Sequence, residues 1–232
     1  MPIRRFDLNV EEVLDNWEVE HAVREVLANA LDEQVLSQTA DIRVFRGDGD
    51  WRIRDYGRGL RIEHFTLNED PEKLSRSSDV IGKFGVGLKD ALAVFHRHEI
   101  GVWICSKHGV FHVVKAQKHD FEDITTLHVE YDDTPKPIEG TEFVLRGAND
   151  ADIDRAKSYF LKFLNEEILE TSPLGQILRR KGNTARVYIS GVLASEEPNF
   201  LFSYNITSLT DSMRKQLNRC LLYTSPSPRD RS

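Results

Sequence analysis

The sequence contains few cysteines and no long apolar run, and both absences exclude classes of protein. Two cysteines, Cys105 and Cys220, in 232 residues are too few for a disulfide framework and favour an intracellular compartment, cytoplasmic or nuclear. No apolar stretch approaches the roughly 20 residues of a membrane-spanning helix. The first residues also lack the apolar core of a signal peptide. We therefore expect an intracellular protein without a membrane partner.

The chain also lacks an excess of basic charge. Its 31 Lys and Arg residues face 38 Asp and Glu residues, which gives a net charge of −7. This balance argues against a general binder of nucleic-acid backbones, although a local basic patch stays compatible with it. With only 14 glycines and 8 prolines and a 40% hydrophobic content, wholesale disorder and collagen-like repeats are excluded. The length fits one sizeable domain with an appendage, or two small domains.

The end of the sequence differs in character from the rest. Residues 220–232 resemble the translation of a transposase-type sequencing adapter, and a genuine Ser/Pro-rich tail is the alternative. Because the match extends through the whole string, we exclude these residues from the prediction of the fold. We expect the natural protein to continue beyond Arg219.

Hydrophobic periodicity predicts an α+β protein. Apolar residues at three- and four-residue spacing predict helices at residues 17–36, 86–96, 150–170 and 209–218. Runs bounded by turn residues predict strands at residues 41–45, 51–55, 100–106, 110–116, 125–131, 142–146 and 186–193. Residues 63–81 are polar with weak periodicity, which predicts a mobile connector. Because a helix precedes mostly consecutive strands, we predict a two-layer sandwich of mixed, mostly antiparallel sheet with helices on one face.

The first predicted helix carries three polar side chains on one face. At about 100° per residue, Glu25, Asn29 and Asp32 share a narrow sector that lies opposite the apolar positions. A carboxylate can orient a water molecule or accept its proton, and an amide oxygen is a hard ligand that suits Mg²⁺. Taken alone, the arrangement is more typical of a solvated polar face.

A glycine-containing loop follows a predicted strand, with Asp55, Gly57 and Gly59 at alternate positions. A carboxylate at the end of a strand can accept a hydrogen bond from an exocyclic amine. The glycines allow the backbone to approach a flat ring closely. An ordinary turn is the alternative.

A second glycine-rich segment leads into the predicted helix at residues 86–96. Its glycines, Gly82, Gly85 and Gly87, let backbone N–H groups converge beside a helix N-terminus, a combination that binds phosphate. The segment is not a Walker A loop, because Lys89 lies two residues after Gly87. It is not a dinucleotide fingerprint either, because it does not follow a strand in a βαβ unit. A glycine-rich helix entry without a ligand is the alternative.

In this order and spacing, the three motifs resemble those of the GHKL superfamily, which includes gyrase, heat-shock chaperone, histidine kinase and MutL ATPases. The matching motifs are Glu25-x-x-x-Asn29-x-x-Asp32, Asp55-x-Gly57-x-Gly59 and Gly82-x-Phe84-Gly85-x-Gly87-x-Lys89. A Gly-Thr pair at residues 140–141 extends the resemblance, which covers residues 17–145. The third motif is most similar to that of heat-shock chaperones and MORC-type ATPases.

The resemblance implies a Bergerat ATP-binding fold and a role for each matched residue. Glu25 would be the general base that activates water, and Asn29 would coordinate Mg²⁺. Asp55 would bind the adenine amino group with help from Thr141. The other matched residues would line the nucleotide pocket or hold the phosphates: Asp32, Gly57, Gly59, Gly82, Phe84, Gly85, Val86, Gly87 and Lys89. Residues 63–81 would form the lid over the nucleotide.

The resemblance also predicts the organisation of the chain and its activity. We expect an ATP-binding domain at residues 1–147 and an extension at residues 148–219 that starts a transducer-like domain or completes the sandwich. ATP and Mg²⁺ are the expected ligands, with hydrolysis driving lid closure and formation of a homodimer that acts on a protein or nucleic-acid client. The alternatives are a histidine- or serine-kinase catalytic domain and a scaffold that binds nucleotide without turnover.

Overall fold

The computed structural model describes residues 4–8, 16–65, 86–118 and 125–208, with only the backbone described at Val86. The chain divides into two units, Met1–Ala156 and Lys157–Ser232. All the predicted site residues belong to the first unit. The sequence prediction placed the domain boundary earlier, after residue 147. The predicted helix at residues 209–218 and the segment 220–232 lie outside the described residues.

The described strands of the first unit form one seven-stranded sheet. In chain order they are β1 (Arg4–Asp7), β2 (Arg43–Gly47), β3 (Asp50–Arg54), β4 (Gly101–Ser106), β5 (Gly109–Gln117), β6 (Thr125–Asp132) and β7 (Thr141–Arg146). Their order across the sheet is β1-β6-β5-β4-β7-β3-β2. Every pairing is antiparallel. The central position of β7 between β3 and β4 brings Thr141 beside the end of β3, where Asp55 follows.

Two helices pack on this sheet and on each other: α1 (Val19–Ser37) and α2 (Val86–Arg97). α1 also contacts β3 and α2 contacts β4, so both helices lie on the same side of the sheet. Both helices carry fully buried apolar side chains, namely Ala22, Val23, Val26 and Leu27 of α1 and Ala91, Leu92, Val94 and Phe95 of α2. Each large apolar side chain buried in this way stabilises the fold by roughly 1.5–3 kcal/mol.

The second unit contains a five-stranded sheet. Its strands are β8 (Ile168–Ser172), β9 (Gly175–Leu178), β10 (Ala185–Ile189), β11 (Val192–Glu197) and β12 (Ser203–Ile206). Their order is β11-β10-β12-β9-β8, with β10 and β12 parallel and the other pairs antiparallel. The predicted α+β class with mostly antiparallel sheet is therefore confirmed. No helix in the described part of the chain is long and apolar enough to cross a membrane.

The predicted helix at residues 150–170 is wrong in its second half. A third helix, α3 (Asp150–Ser158), ends at Ser158, and a 3₁₀ turn follows at Leu161–Phe163. Phe160 has an extended backbone and forms an antiparallel bridge with Val192. Phe160 is 1% exposed, so a buried residue of extended backbone here matches the spacing expected of a helical apolar face.

The predicted single strand at residues 186–193 is a hairpin instead. β10 and β11 are joined by Ser190 and Gly191, whose φ angles of 48° and 82° lie in the left-handed region. Two consecutive residues with positive φ form the tight turn whose twist matches antiparallel strands. The Ser-Gly pair is the sequence signal for this turn.

Candidate functional site

The predicted polar face of α1 is only partly solvated. Glu25 is half-buried, and its Oε1 atom accepts hydrogen bonds from Arg24 Nη2 at 2.8 Å and Nε at 3.2 Å. Asn29 lies one turn further along and is also half-buried. Asp32 is 1% exposed, so it is not part of a solvated surface. The alternative of an ordinary solvated face is therefore wrong for Asp32.

The start of α2 lies directly against Glu25. A Cβ atom at Gly87 would overlap Glu25 Oε2 and would lie 3.1 Å from its Cδ. The first and third motifs, which are more than fifty residues apart in sequence, therefore meet at this point. Lys89 follows on the first turn of α2 and is half-buried. Gly82, Phe84, Gly85 and the side chain of Val86 lie outside the described residues, as does most of the predicted lid.

Asp55 and Thr141 form a buried hydrogen-bonded pair. The two residues are 5% and 4% exposed. Asp55 N–H donates to the Thr141 carbonyl at 2.9 Å, and the Thr141 hydroxyl also bonds to the Asp55 carboxyl. Gly57 N–H donates to Asp55 Oδ1 at 2.9 Å. Burial raises the pKa of Asp55 to about 6, helped by the charge of Glu33 and opposed by the hydrogen bonds from Gly57 and Thr141.

Two glycines in left-handed conformations let the loop after β3 pack closely on its neighbours. Gly59 has a φ of +82°, and a Cβ there would lie 2.9 Å from Ser106 Oγ. Gly140 has a φ of +72°, and a Cβ there would overlap the Asp55 carbonyl oxygen. Ser106 is fully buried and donates to the Leu60 carbonyl at 2.7 Å. Other residues at either position would strain the backbone and push the loop away from β4 and β7.

Sequence reasoning missed the contact between this loop and α1. Glu33 accepts hydrogen bonds from Arg58 N–H at 2.7 Å and from its Nε and Nη2 atoms at 2.9 Å each. Ser37 Oγ donates to the same carboxylate at 2.6 Å. Burial opposes ionisation of Glu33, but the bonds from Arg58 and Ser37 outweigh it and lower its pKa to about 2. Arg58 occupies a variable position of the second motif, so no spacing pointed to it.

A further carboxylate near Glu25 was also missed. Asp90 lies three residues after Gly87, on the side of α2 that carries the glycine. Burial and the negative charge of Glu25 raise the pKa of Asp90 to about 6, and Lys89 opposes the rise. The i, i+3 spacing from Gly87 was the available signal, but it becomes informative only when α1 and α2 are known to pack together.

Two clefts of the first unit lie away from these residues. One, of about 410 Å³, is lined mainly by the first residues of α1 and α3, with His98 and Ile100. The other, of about 480 Å³, lies beside the C-terminal end of α2 and has Leu92, Val102 and Val113 in its wall. Neither is lined by a predicted site residue.

The predicted magnesium ligand does not belong to a preformed cluster of metal-binding side chains. Within the described ranges, no group of three or more His, Cys, Asp or Glu residues could hold a metal ion. Mg²⁺ usually keeps several waters and binds through one or two protein oxygens plus substrate phosphates. A single amide oxygen from Asn29 fits that pattern, and its role as a ligand stays a prediction.

The chain is similar in sequence to proteins of the bacterium Mycoplasma pneumoniae. Residues 151–222 match the family model described as the Mycoplasma pneumoniae MPN635 N-terminal domain. The chain is 38% identical to an uncharacterized protein of Mycoplasma pneumoniae over 223 residues, which cover 94% of this chain and 90% of that protein. It is 32% identical to a second uncharacterized protein of that organism over 82 residues, or 34% of this chain and 23% of that protein. The matched residues 151–222 include none of the candidate site residues.

Proposed function

The chain belongs to the family of the 38% identical Mycoplasma pneumoniae protein, and we propose that it binds ATP with Mg²⁺ and hydrolyses the ATP in a GHKL-type site. The observation that carries the proposal is the meeting of distant motifs. Glu25 lies against Gly87, and Asp55 is hydrogen-bonded to Thr141. A Bergerat arrangement of the first unit and ATP-dependent homodimerisation are parts of the same proposal.

The buried pair Asp55 and Thr141 supports an adenine-binding end. An ionised Asp55 carboxylate accepts a hydrogen bond from the exocyclic amine of adenine, and it is already oriented by Gly57 N–H and the Thr141 hydroxyl. Burial of the pair strengthens that bond, because little water competes for the carboxylate. Inosine carries a carbonyl where adenine carries the amine, so the site should prefer ATP to inosine triphosphate.

The contact between α1 and the start of α2 supports a phosphate-binding end. The N-terminus of α2 carries partial positive charge and free N–H groups, which favour a bound anion. Because Gly87 has no side chain, the Glu25 carboxylate lies directly against the backbone of the first turn of α2. Mg²⁺, when bound, would neutralise charge on the triphosphate and polarise its phosphorus–oxygen bonds, with Asn29 as its protein ligand.

The orientation of the Glu25 side chain supports a role as general base. Arg24 holds its Oε1 atom, so the side chain is oriented with Oε2 toward Gly87. Oε2 accepts a proton from the water that attacks the terminal phosphate, and the released products are ADP and phosphate. A positioned general base contributes about 10²- to 10⁴-fold to a rate.

Calorimetric titration with Mg·ATP and an assay of phosphate release by the full chain test the proposal. We expect binding by the wild type, and we expect Glu25→Ala to bind ATP while hydrolysing it at least about 100-fold more slowly. Glu170→Ala, an exposed glutamate on β8, is the matched control and should behave as the wild type does.

Three results would contradict the proposal or a part of it. Absence of Mg·ATP binding by the wild type would remove the proposed function. Unchanged hydrolysis in Glu25→Ala would remove Glu25 as the base. Transfer of the phosphate to a protein instead of to water would replace the ATPase with the kinase alternative.

A further inference from the structure

An ionic clamp joins α1 to the loop that carries Asp55. Three N–H groups of Arg58 donate to the Glu33 carboxylate at 2.7–2.9 Å, one from the backbone and two from the guanidinium. Ser37, one turn along α1, adds a fourth hydrogen bond at 2.6 Å. We call this set of contacts the Glu33–Arg58 clamp.

The clamp is more constrained than an ordinary surface ion pair. The Glu33 side chain is only 20% exposed, although that of Arg58 is 50% exposed. The backbone N–H of Arg58 has no rotamer freedom to lose, and the guanidinium fork fits a carboxylate in one orientation. Gly57 also lies so close that a Cβ there would come within 2.8 Å of Glu33 Cδ. The loop therefore approaches α1 as closely as its backbone allows.

The clamp sets the geometry between the two ends of the proposed nucleotide site. Glu33 lies eight residues after Glu25 on the same helix, a rise of about 12 Å. Arg58 lies three residues after Asp55. We propose that Glu33 is a positioning residue, which through Arg58 fixes the distance between the adenine-binding carboxylate of Asp55 and the triphosphate-binding face of α1. This inference rests on the proposed function.

A fixed distance matters only for a ligand that contacts both ends. When the two ends of the site are held at a fixed distance, binding of the adenine raises the effective concentration of the triphosphate at its own end of the site. That gain disappears when the loop moves freely relative to α1. Adenosine and tripolyphosphate contact one end each, so their affinities do not depend on the distance.

Binding of ATP, adenosine and tripolyphosphate, each with Mg²⁺, to the full chain tests the inference. We expect Glu33→Gln and Arg58→Ala to weaken ATP binding about tenfold or more, while each fragment changes by less than about twofold. The double variant should lose no more than the stronger single variant, because both changes open the same clamp. Arg179→Ala removes an exposed Arg–Glu pair of the second unit and is the matched control, with no expected loss.

The outcomes separate this inference from the proposed function. Equal weakening of all three ligands would mean that Glu33 supports the fold alone, and unchanged ATP binding would mean that the clamp positions nothing. Either result overturns the inference and leaves the proposed function standing. A wild type that binds no ATP overturns both. Thermal unfolding of each variant identifies any that has lost its fold, in which case Arg58→Lys, which keeps the charge without the fork, replaces it with the same expected pattern.

Discussion

The buried carboxyl group of Asp55 and the half-buried carboxyl group of Glu33 are neighbours whose pKa values shift in opposite directions. Burial penalises the charged form of both. Glu33 has the guanidinium of Arg58 and the hydroxyl of Ser37 as partners, and its pKa falls to about 2. Among the described residues, Gly57 N–H and Thr141 donate to Asp55, and Asp55 also experiences the negative charge of Glu33, so its pKa rises to about 6. At Glu33 the hydrogen bonds from Arg58 and Ser37 outweigh burial, whereas at Asp55 burial outweighs the hydrogen bonds.

The opposite pKa shifts of Glu33 and Asp55 suit the two groups to different roles. Glu33 is permanently ionised at physiological pH, as a structural clamp requires. Asp55 changes its protonation state near pH 6 and gains its charge at a cost to folding. Asp90 resembles Asp55, because burial and the charge of Glu25 raise its pKa to about 6 as well. Asp55 and Asp90 therefore destabilise the fold when they are ionised, as binding groups often do.

The largest expected effect is a gain of stability in Asp55→Asn. A raised carboxyl pKa means that the stability contribution is present below about pH 4 and is lost as the pH rises through 6. A rise to about 6 in a group that is 5% exposed corresponds to about 2–3 kcal/mol. We expect Asn, which stays neutral, to make the protein more stable by up to about that amount at pH 7, measured by urea denaturation.

The same variant should lose ATP affinity, because the amide supplies a weaker acceptor for the adenine amine. Its stability should match that of the wild type at pH 4, where the wild-type carboxyl is protonated. Asp133→Asn, an exposed aspartate that pairs with Arg4, is the control. A variant that is less stable than the wild type at pH 7 would show that the hydrogen bonds to the Asp55 carboxylate outweigh the cost of its burial.

The fold of the first unit was largely predictable from sequence. The predicted helix at residues 86–96 and the strands at residues 100–146 agree with α2 and β4–β7 within one or two residues. The second unit was not. Phe160 and Phe163 mimic a helical period, and the short strands β8, β9 and β12 carry no alternation strong enough to detect. Short strands depend on their partners, which a local pattern does not contain.

Some residues of the candidate site were likewise predictable from sequence, and others were not. Glu25, Asn29 and Asp55 were predicted as site residues because local spacing marks them, and their roles stay predictions. Arg58 and Asp90 were not predicted, because their interactions with Glu33 and Glu25 depend on how α1 packs against other parts of the chain. Residues that recur in a motif are visible in one chain, whereas residues that support the motif need coordinates.

The next largest effect is a loss of stability in Glu33→Gln. A lowered carboxyl pKa means that the contribution is present above about pH 4.5 and is lost as the pH falls through 2. Since Arg58 is half exposed, solvent screening reduces the value of the pair. We expect the variant to be about 1–2 kcal/mol less stable at pH 7 by urea denaturation, with the difference shrinking below pH 4. A constant difference across that range would mean that packing, and not charge, is lost.

The smallest effect belongs to Asp90→Asn and tests whether Glu25 and Asp90 repel each other. Because burial and the Glu25 charge raise the pKa of Asp90, the neutral variant should be about 1 kcal/mol more stable at pH 7 and no more stable than the wild type at pH 4. In a Glu25→Gln background the gain should become smaller without vanishing, since burial, the larger cause of the raised pKa, stays in place. Urea denaturation of the four proteins of this cycle measures both quantities. An equal gain in both backgrounds would show that the charge of Glu25 does not act on Asp90.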